Sequence, residues 1–455
     1  MTRELELAAR VLAEVRRAGG GDAEVSVRHA ANGLTRFANS VIHQNVADEV
    51  TAVSLRLHLD GRTVTGSTTL TGDDGLAGLV ARARASAELC PPDPHWPGLS
   101  PAAPAAGAAG YDDATAAATP GDRAAAVRAF VAAADGLPTA GYCRTGTIAA
   151  AFANSAGQQL TAALTEAAID GIARAPGADA VARDSGPRLG PLDGGALGAR
   201  AAAKARAATG AADLPPGVYE VVLEPGAVSD VLENLSAFGF NGRAFAERRS
   251  FAAPGEAQFD PAVTIVDDVA GGGLPFDVEG TPRGRLALVE AGVTGGVAHD
   301  RRTAAEAGAA STGHAGPEVA WGPFPAYVAL EPGAGPHAPT ADPHPAVDPA
   351  AAALVAGVER GLLVTDFWYT RVLDPKSLVV TGLTRNGIWL IEDGKLAGPV
   401  SNLRFTQSYP RALAPGAVRG IGAVPTRVPG EWFGGWVSAP ALHLAGWHFT
   451  GGAAG

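Results

Sequence analysis

Histidine is the side chain that can both ligate a metal and move a proton at neutral pH, and the ten in this chain are unevenly placed. None lies between residues 96 and 298. Later in the chain, His337 and His344 share a proline-rich stretch with Asp342 and Asp348, and His443 and His448 lie near the C-terminus. These spacings match no standard zinc set, and a flexible loop positions ligands poorly. They read as solvated or hydrogen-bonded histidines. Cys90 and Cys143 are too few for a disulfide framework and have no Cys-x-x-Cys spacing. No Gly-x-Ser-x-Gly elbow occurs, and Cys143 falls in an apparent strand, so a serine or cysteine hydrolase is poorly supported. Gly19-Gly20-Gly21 and Gly271-Gly272-Gly273 lack the Lys-Ser/Thr of a phosphate loop and read as turns.

The elements that would position any site follow from periodicity. Leu5, Ala8, Ala9, Leu12 and Val15 make residues 1–18 an amphipathic helix, ended by the glycine run. Residues 23–28 and 50–59 alternate like strands, with Val53, Leu55, Leu57 and Leu59 on one face. Asp60-Gly61 is a tight hairpin signal before a strand at 63–69. Helical spacing returns over 73–89, and Thr119-Pro120 opens another helix with an N-cap and a proline at its first position. Strands are expected at 139–152 and 159–174 around a turn at 154–157, then a helix over 192–208. Residues 91–113 and 331–349 are rich in helix and strand breakers and read as exposed loops.

Leu214-Pro215-Pro216-Gly217 marks the expected domain boundary. Beyond it come a strand at 218–223, a helix through Val228, Val231, Leu232 and Leu235, and short glycine-punctuated strands. Among these are 263–266, 286–290, 378–381 and 388–391, the last closed by Glu392-Asp393-Gly394. The fold class is therefore α+β. Residues 1–213 form an N-terminal α/β domain with helices packed on a sheet, and residues 214–455 form a largely antiparallel C-terminal β domain.

Composition narrows the function classes. With 455 residues and 47% hydrophobic content the chain can bury sizeable cores. A formal net charge of -11 with no basic stripe argues against nucleic acid as a partner. No run of about 18 uncharged apolar residues predicts a membrane span, and the sparse cysteines suit a reduced, cytoplasmic setting.

Several segments together resemble the TldD/PmbA (TldD/TldE) family. The first is Thr35-Arg36-Phe37-Ala38-Asn39-Ser40-Val41-Ile42-His43-Gln44-Asn45. The second has Gly239-Phe240-Asn241-Gly242-Arg243-Ala244 at its centre, and a third is Ser311-Thr312-Gly313-His314-Ala315-Gly316. The last combines Gly361-Leu362-Leu363-Val364-Thr365, Thr381-Gly382-Leu383-Thr384-Arg385-Asn386-Gly387 and Ile391-Glu392-Asp393-Gly394. Their common order along the chain makes the match specific. The resemblance implies a metallopeptidase built from two related subunits, one TldD-like and one TldE-like. They enclose a cavity where an extended peptide is held by its backbone and cut by zinc-activated water.

The resemblance also implies which subunit this is. The active subunit carries His-Glu-x-x-x-His on a helix of the second domain and a cysteine near its C-terminus. Imidazoles and thiolate hold the metal, and the glutamate is the general base. Aligning Pro225-Gly226 and Gly239 with the family places Glu233, Asn234 and Phe238 at the His, Glu and His positions of a helix over 226–238. No cysteine follows Cys143. The expectation is a TldE/PmbA-like, non-catalytic subunit with no cofactor of its own, working with a zinc-bearing TldD-like partner on unfolded peptides. Asn39, His43, Gln44, Asn241 and Arg243 are the candidates for peptide or partner contacts, set against a simpler role in stabilising turns. Trp432, Phe433, Trp436, Trp447 and Phe449 could pack the β domain or serve a subunit interface. The alternatives are a stand-alone metallopeptidase with a non-standard metal site, drawing on His337 and His344, and a non-enzymatic adaptor or homodimer.

Overall fold

The computed structural model describes residues 1–105, 110–317, 319–334, 344–430 and 435–452. Its first 207 residues build α1 (Arg3–Arg17), β1 (Asp22–Ala38), β2 (Val41–Leu59), β3 (Arg62–Thr68), α2 (Asp73–Leu89), α3 (Asp113–Ala116), α4 (Pro120–Ala133), β4 (Thr139–Asn154), β5 (Gln159–Ala175), β6 (Ala178–Gly186) and α5 (Gly194–Ala207). The six strands form one antiparallel sheet in the order β3-β2-β1-β4-β5-β6. Period-two alternation decides what each face does. Ala23, Val25, Val27, Val53, Leu55, Leu57 and Val64 point to α1 and α2 and are buried against Leu7, Val11, Leu12, Leu76, Leu79 and Val80. Each such Val or Leu contributes about 1.5–3 kcal/mol by leaving water. A second core under α4 and α5 collects Phe37, Val127, Phe130, Ile169, Leu197 and Ala201.

Local signals explain the boundaries. Thr119 and Asp122 make a reciprocal capping box at the start of α4. Asn39 and Ser40, with φ of 49° and 62°, and Asp60 and Gly61, with φ of 49° and 74°, close the two hairpins of β2. Strand β6 was not expected from the sequence, because its alanines and alternating charges carry little strand propensity. It forms because Gly177 turns the chain back onto β5. From residue 41 to 52, β2 has β1 on one side only. No strand among the described residues pairs with its other edge, and of residues 41–50 all but Ile42 are exposed.

The C-terminal half builds β7 (Gly217–Leu223), α6 (Pro225–Asn234), α7 (Gly242–Ala246), β8 (Ile265–Asp267), β9 (Leu286–Glu290), β10 (Val293–Thr294), α8 (Arg301–Ala307), β11 (Val328–Leu330) and α9 (Ala352–Val355). It continues through β12 (Arg360–Asp374), β13 (Val379–Glu392), β14 (Lys395–Pro399), β15 (Leu403–Ser408), α10 (Tyr409–Ala412), β16 (Val418–Ile421), β17 (Thr426–Pro429), β18 (Trp436–Ala439) and β19 (Leu442–Gly452). One sheet runs β12-β7-β19-β15-β13, and β13 pairs back onto β12, closing a ring. The other runs β10-β9-β8-β11-β18-β17. All neighbours are antiparallel except β12 with β7 and β11 with β18. α6 lies in the core shared by the two sheets. Val228, Val231 and Leu232 are buried with Ile265, Leu288 and Val328 of one sheet and Val364, Phe405 and Trp447 of the other. Trp447 and Phe449 are core residues and Trp436 is buried, whereas Trp432 and Phe433 lie outside the described residues.

Two expectations are corrected here. Residues 378–381 and 388–391 are not separate strands but lie on or beside the single strand β13. Asn386-Gly387 resembles a turn in sequence, yet its φ values of 61° and 119° make a kink within the ladder. A Cβ on Gly387 would strike the buried Trp389 ring at 2.1 Å, so only glycine fits there. The end of the 331–349 segment is also not exposed. Ala346, Val347, Ala351 and Ala352 pack against Val222, Leu363 and Trp389.

The two halves meet through a small apolar cluster of Phe152, Leu160 and Phe276 and through polar contacts. Arg183 of β6 reaches Asp366 of β12 at 2.7 Å, and Arg56 of β2 reaches Glu279 at 2.6 Å. Arg302 grips Asp93 with both guanidinium nitrogens, at 3.1 and 2.7 Å. On α5, Lys204 pairs with Glu224 and Arg200 with Asp348 at 2.7 Å.

Candidate functional site

β7 delivers the chain into the centre of the C-terminal half, where Glu224 and Pro225 start α6. The helix carries Glu233 and Asn234 in its last turn and continues into a π turn, Leu235–Gly239, that holds Phe238. Such widened turns recur at functional sites. Gly239 lies under the Phe251 ring, where a Cβ would come within 2.3 Å, which accounts for glycine at this end of the helix.

The side chains here are joined to one another. Asp230, one turn before Asn234, accepts hydrogen bonds from Thr370 Oγ1 at 2.7 Å and from the Tyr409 hydroxyl at 2.7 Å. Asn234 is fully buried and donates to the Asp230 carbonyl at 2.9 Å. Burial, reinforced by the Asp230 carboxyl, raises the Tyr409 hydroxyl well above its usual range, so it stays a donor. A zinc site needs imidazole or thiolate lone pairs directed at an open position. Glu233, Asn234 and Phe238 offer one carboxylate, a buried amide and a ring, so this helix does not fit the metal. Among the described residues no three His, Cys, Asp or Glu side chains are grouped to hold a metal ion. Tyr409→Phe removes a hydrogen bond to a carboxyl and is expected to cost about 1.5–3 kcal/mol. The urea midpoint reads it, and a loss below about 0.5 kcal/mol would mean that water takes over the bond.

Asn241 follows the π turn and caps α7, accepting from the Arg243 and Ala244 amides at 3.0 and 3.1 Å. It also donates to the Trp321 carbonyl at 2.8 Å. Arg243 binds Glu247 at 2.9 Å and the Ala320 carbonyl at 3.0 Å. Both therefore fix the 320–323 segment. Asn39, His43 and Gln44 sit elsewhere, at the β1–β2 hairpin and on the open part of β2, with His43 and Gln44 exposed. The structure thus places the two candidate groups apart, one at the β1–β2 hairpin of the N-terminal sheet and the other at the start of α7.

Five histidines of the C-terminal half have structural partners. His299 bonds Thr303 Oγ1 at 3.1 Å, and burial lowers its basicity. His314 bonds Thr312 Oγ1 at 2.9 Å and lies 3.5 Å from Asp267. His443 faces Glu220 at 2.7 Å, His448 the Thr406 carbonyl at 3.2 Å, and His344 Nδ1 accepts from the Ala346 amide at 3.1 Å. His337 and Asp342 lie outside the described residues. The Cys143 thiol is buried and pushed up to about 12, so it is not a nucleophile.

A cleft of about 450 Å³ between the halves was not apparent from the sequence. Its floor is the face of β1, β2 and β3 that turns away from the helices, with Glu24, Ser26, Ser54, Arg56, Thr63 and Thr65. Prolines 91, 92 and 97 wall one side, and Glu279, Asp300, Arg302 and Pro317 of the C-terminal half close the other. Burial pushes Glu24 up to about 8 against the pull of Arg56, and burial with the neighbouring Glu279 charge pushes Asp277 up to about 7. The polar partners in Ala23-Glu24-Val25-Ser26 were the available signal, but they look like an ordinary solvated strand face.

The PmbA/TldA metallopeptidase C-terminal domain profile matches residues 216–451, and domain 1 of the same family matches residues 23–87. No curated protein sequence matches the chain. Among solved structures, a candidate modulator of DNA gyrase from Thermotoga maritima superposes with a TM-score of 0.81 at 17% identity, covering 98% of this chain and 99% of that one. TldE from Thermococcus kodakarensis gives 0.81 at 17%, covering 94% and 97%. A candidate modulator of DNA gyrase from Bacteroides thetaiotaomicron gives 0.80 at 20%, covering 98% of each chain. At these identities the likeness establishes the fold.

Proposed function

Because the chain belongs to the PmbA/TldD metallopeptidase family, we propose that it is a TldE/PmbA-like, non-catalytic subunit of a zinc peptidase acting on unfolded peptides. One observation carries the reading. Where the family keeps its metal helix, this chain has Glu233, Asn234 and Phe238 beside the Asp230–Tyr409–Thr370 network, with nothing directed to coordinate zinc. The role left to the chain is to wall the peptide channel of a zinc-bearing TldD-like partner. Backbone edges there would hold an extended substrate with little demand on its sequence. Catalysis by the partner needs water held on the metal and a peptide aligned across it, and this subunit supplies the alignment. Asn39, His43, Gln44, Asn241 and Arg243 are the contacts to examine first. A cytoplasmic location goes with this reading and suits the two free thiols.

The test is reconstitution with the TldD-like subunit of the same source and denatured, dye-labelled casein as substrate. Each chain alone is expected to be inactive, the mixture active and chelator-sensitive, and zinc in the isolated chain near zero by elemental analysis. Casein cleavage by the partner alone at the rate of the mixture would refute the role. Stoichiometric zinc in this chain that survives dialysis would also refute it.

A further inference from the structure

We propose that the cleft between the N-terminal sheet and the C-terminal loops binds a small cationic group, a primary ammonium or guanidinium, received by Glu24. The cation is carried on a peptide or is a free amine. The proposal does not rest on the peptidase reading and is tested on this chain alone.

The floor is set by register. Glu24 pairs with Arg56 across β1 and β2, Ser26 pairs with Ser54 beside them, and Arg56 pairs with Thr65 on β3. Cross-strand partners stand about 5 Å apart and next-but-one residues about 7 Å apart. The result is a patch of hydroxyl and carboxyl acceptors sized for one small donor group. A volume of about 450 Å³ suits a ligand of modest size.

Charge then selects the ligand. The lining holds four carboxylates, Glu24, Asp93, Glu279 and Asp300, against the guanidinium groups of Arg56 and Arg302. The three other than Glu24 already accept hydrogen bonds, Asp93 and Glu279 on both oxygens and Asp300 on Oδ1. Asp93 is gripped by Arg302 at 3.1 and 2.7 Å. Glu279 takes Arg56 at 2.6 Å on one oxygen and the Arg301 amide at 2.8 Å on the other. Asp300 accepts the Thr303 amide at 2.7 Å and its hydroxyl at 2.9 Å. Glu24 is different. It is 2% exposed, its Oε2 stands 2.8 Å from Arg56 Nε without hydrogen-bond alignment, and its Oε1 accepts nothing. A buried carboxyl without a donor is costly, and an anion entering this lining would meet net repulsion. A cation supplies what is missing.

Binding also balances charge. In the empty cleft at neutral pH Glu24 holds a proton, because burial outweighs Arg56 and Arg301 while Glu279 and Asp277 reinforce it. The incoming cation displaces that proton to solvent, so the buried charge is unchanged overall. Affinity should therefore rise by up to about tenfold per pH unit between pH 6 and 8.

Titration calorimetry on the full chain would use trialanine, N-acetyl-trialanine and putrescine, each in two buffers of different ionisation enthalpy. Trialanine, putrescine or both should bind once per chain with proton release, and acetylated trialanine should not bind. Binding of trialanine alone assigns the group to a peptide end, and binding of putrescine alone assigns it to a free amine. Glu24→Gln should lose at least about tenfold in affinity. Ser54→Leu, which fills the floor without changing a charge, should do the same and decides the matter if Glu24→Gln does not fold. No binding at about 10 mM of either amine, equal binding by the acetylated peptide, or unaltered binding by both variants would overturn the proposal.

Discussion

Lys204→Met is expected to lower the unfolding free energy by about 3–5 kcal/mol at pH 7. Lys204 and Glu224 are each 2% exposed and bonded to each other, and Glu224 also accepts the Asp348 amide at 2.7 Å. Removing the ammonium leaves a carboxyl that burial already pushes above its usual range, with Lys204 the main opposing influence. The damage comes from the unpaired partner rather than from a lost attraction. The double variant Lys204→Met with Glu224→Gln should thus recover most of the loss, because the amide still accepts from Asp348. Urea unfolding of the single and double variants measures this. A single-variant loss under about 1 kcal/mol would show that the pair is open to water. Because α5 and the β7–α6 junction share the pair, both halves should lose stability in one transition.

The second large effect is on the pH profile. A carboxyl whose folded pKa lies above its unfolded value binds more protons when folded, so stability falls as pH rises between the two. Glu24 spans from 4.5 to about 8 and Asp277 from 3.8 to about 7. Burial moves Asp170 and Asp184 in the same direction. Glu24 alone is worth at most about 5 kcal/mol across its window. Asp267 works the other way. Burial opposes its charge, but Arg283 at 2.5 Å, with His314 and the Tyr327 amide, holds it below the usual carboxylate range. Its contribution is present above its unfolded value of 3.8 and lost only as pH falls through a lower folded one. The melting temperature is therefore expected to peak near pH 4–5 and decline towards pH 8. Glu24→Gln should flatten that decline. A wild-type profile level from pH 5 to 8 would contradict the assignment of buried, protonated carboxyls.

What was legible in the sequence was local chemistry. The Thr119 cap, the Asp60-Gly61 turn and the apolar spacing of residues 73–89 each act within a few residues, and each formed where expected. What was hidden depended on partners far along the chain. Asn386-Gly387 looked like a turn because only Trp389, packed on it in the fold, makes it a kink. Strand β6 exists because β5 offers it an edge. The absence of imidazole from residues 233–238 is visible in one dimension. The cleft is not, because it unites residues 24, 56, 93, 279 and 302 from five separate stretches of chain.

The bare rim of β2 gives the pH profile a practical twist. A row of unpaired amides and carbonyls is adhesive, and the charges beside it keep like surfaces apart. Here those charges include Asp48 and Glu49, both exposed, and the whole chain is neutral near pH 5.4. Mildly acidic solutions therefore hold each molecule most firmly together while removing the repulsion between molecules. Conformational firmness and colloidal solubility peak at different acidities, and concentrated stocks should cloud first near pH 5.4, close to the buffers that give the highest melting point.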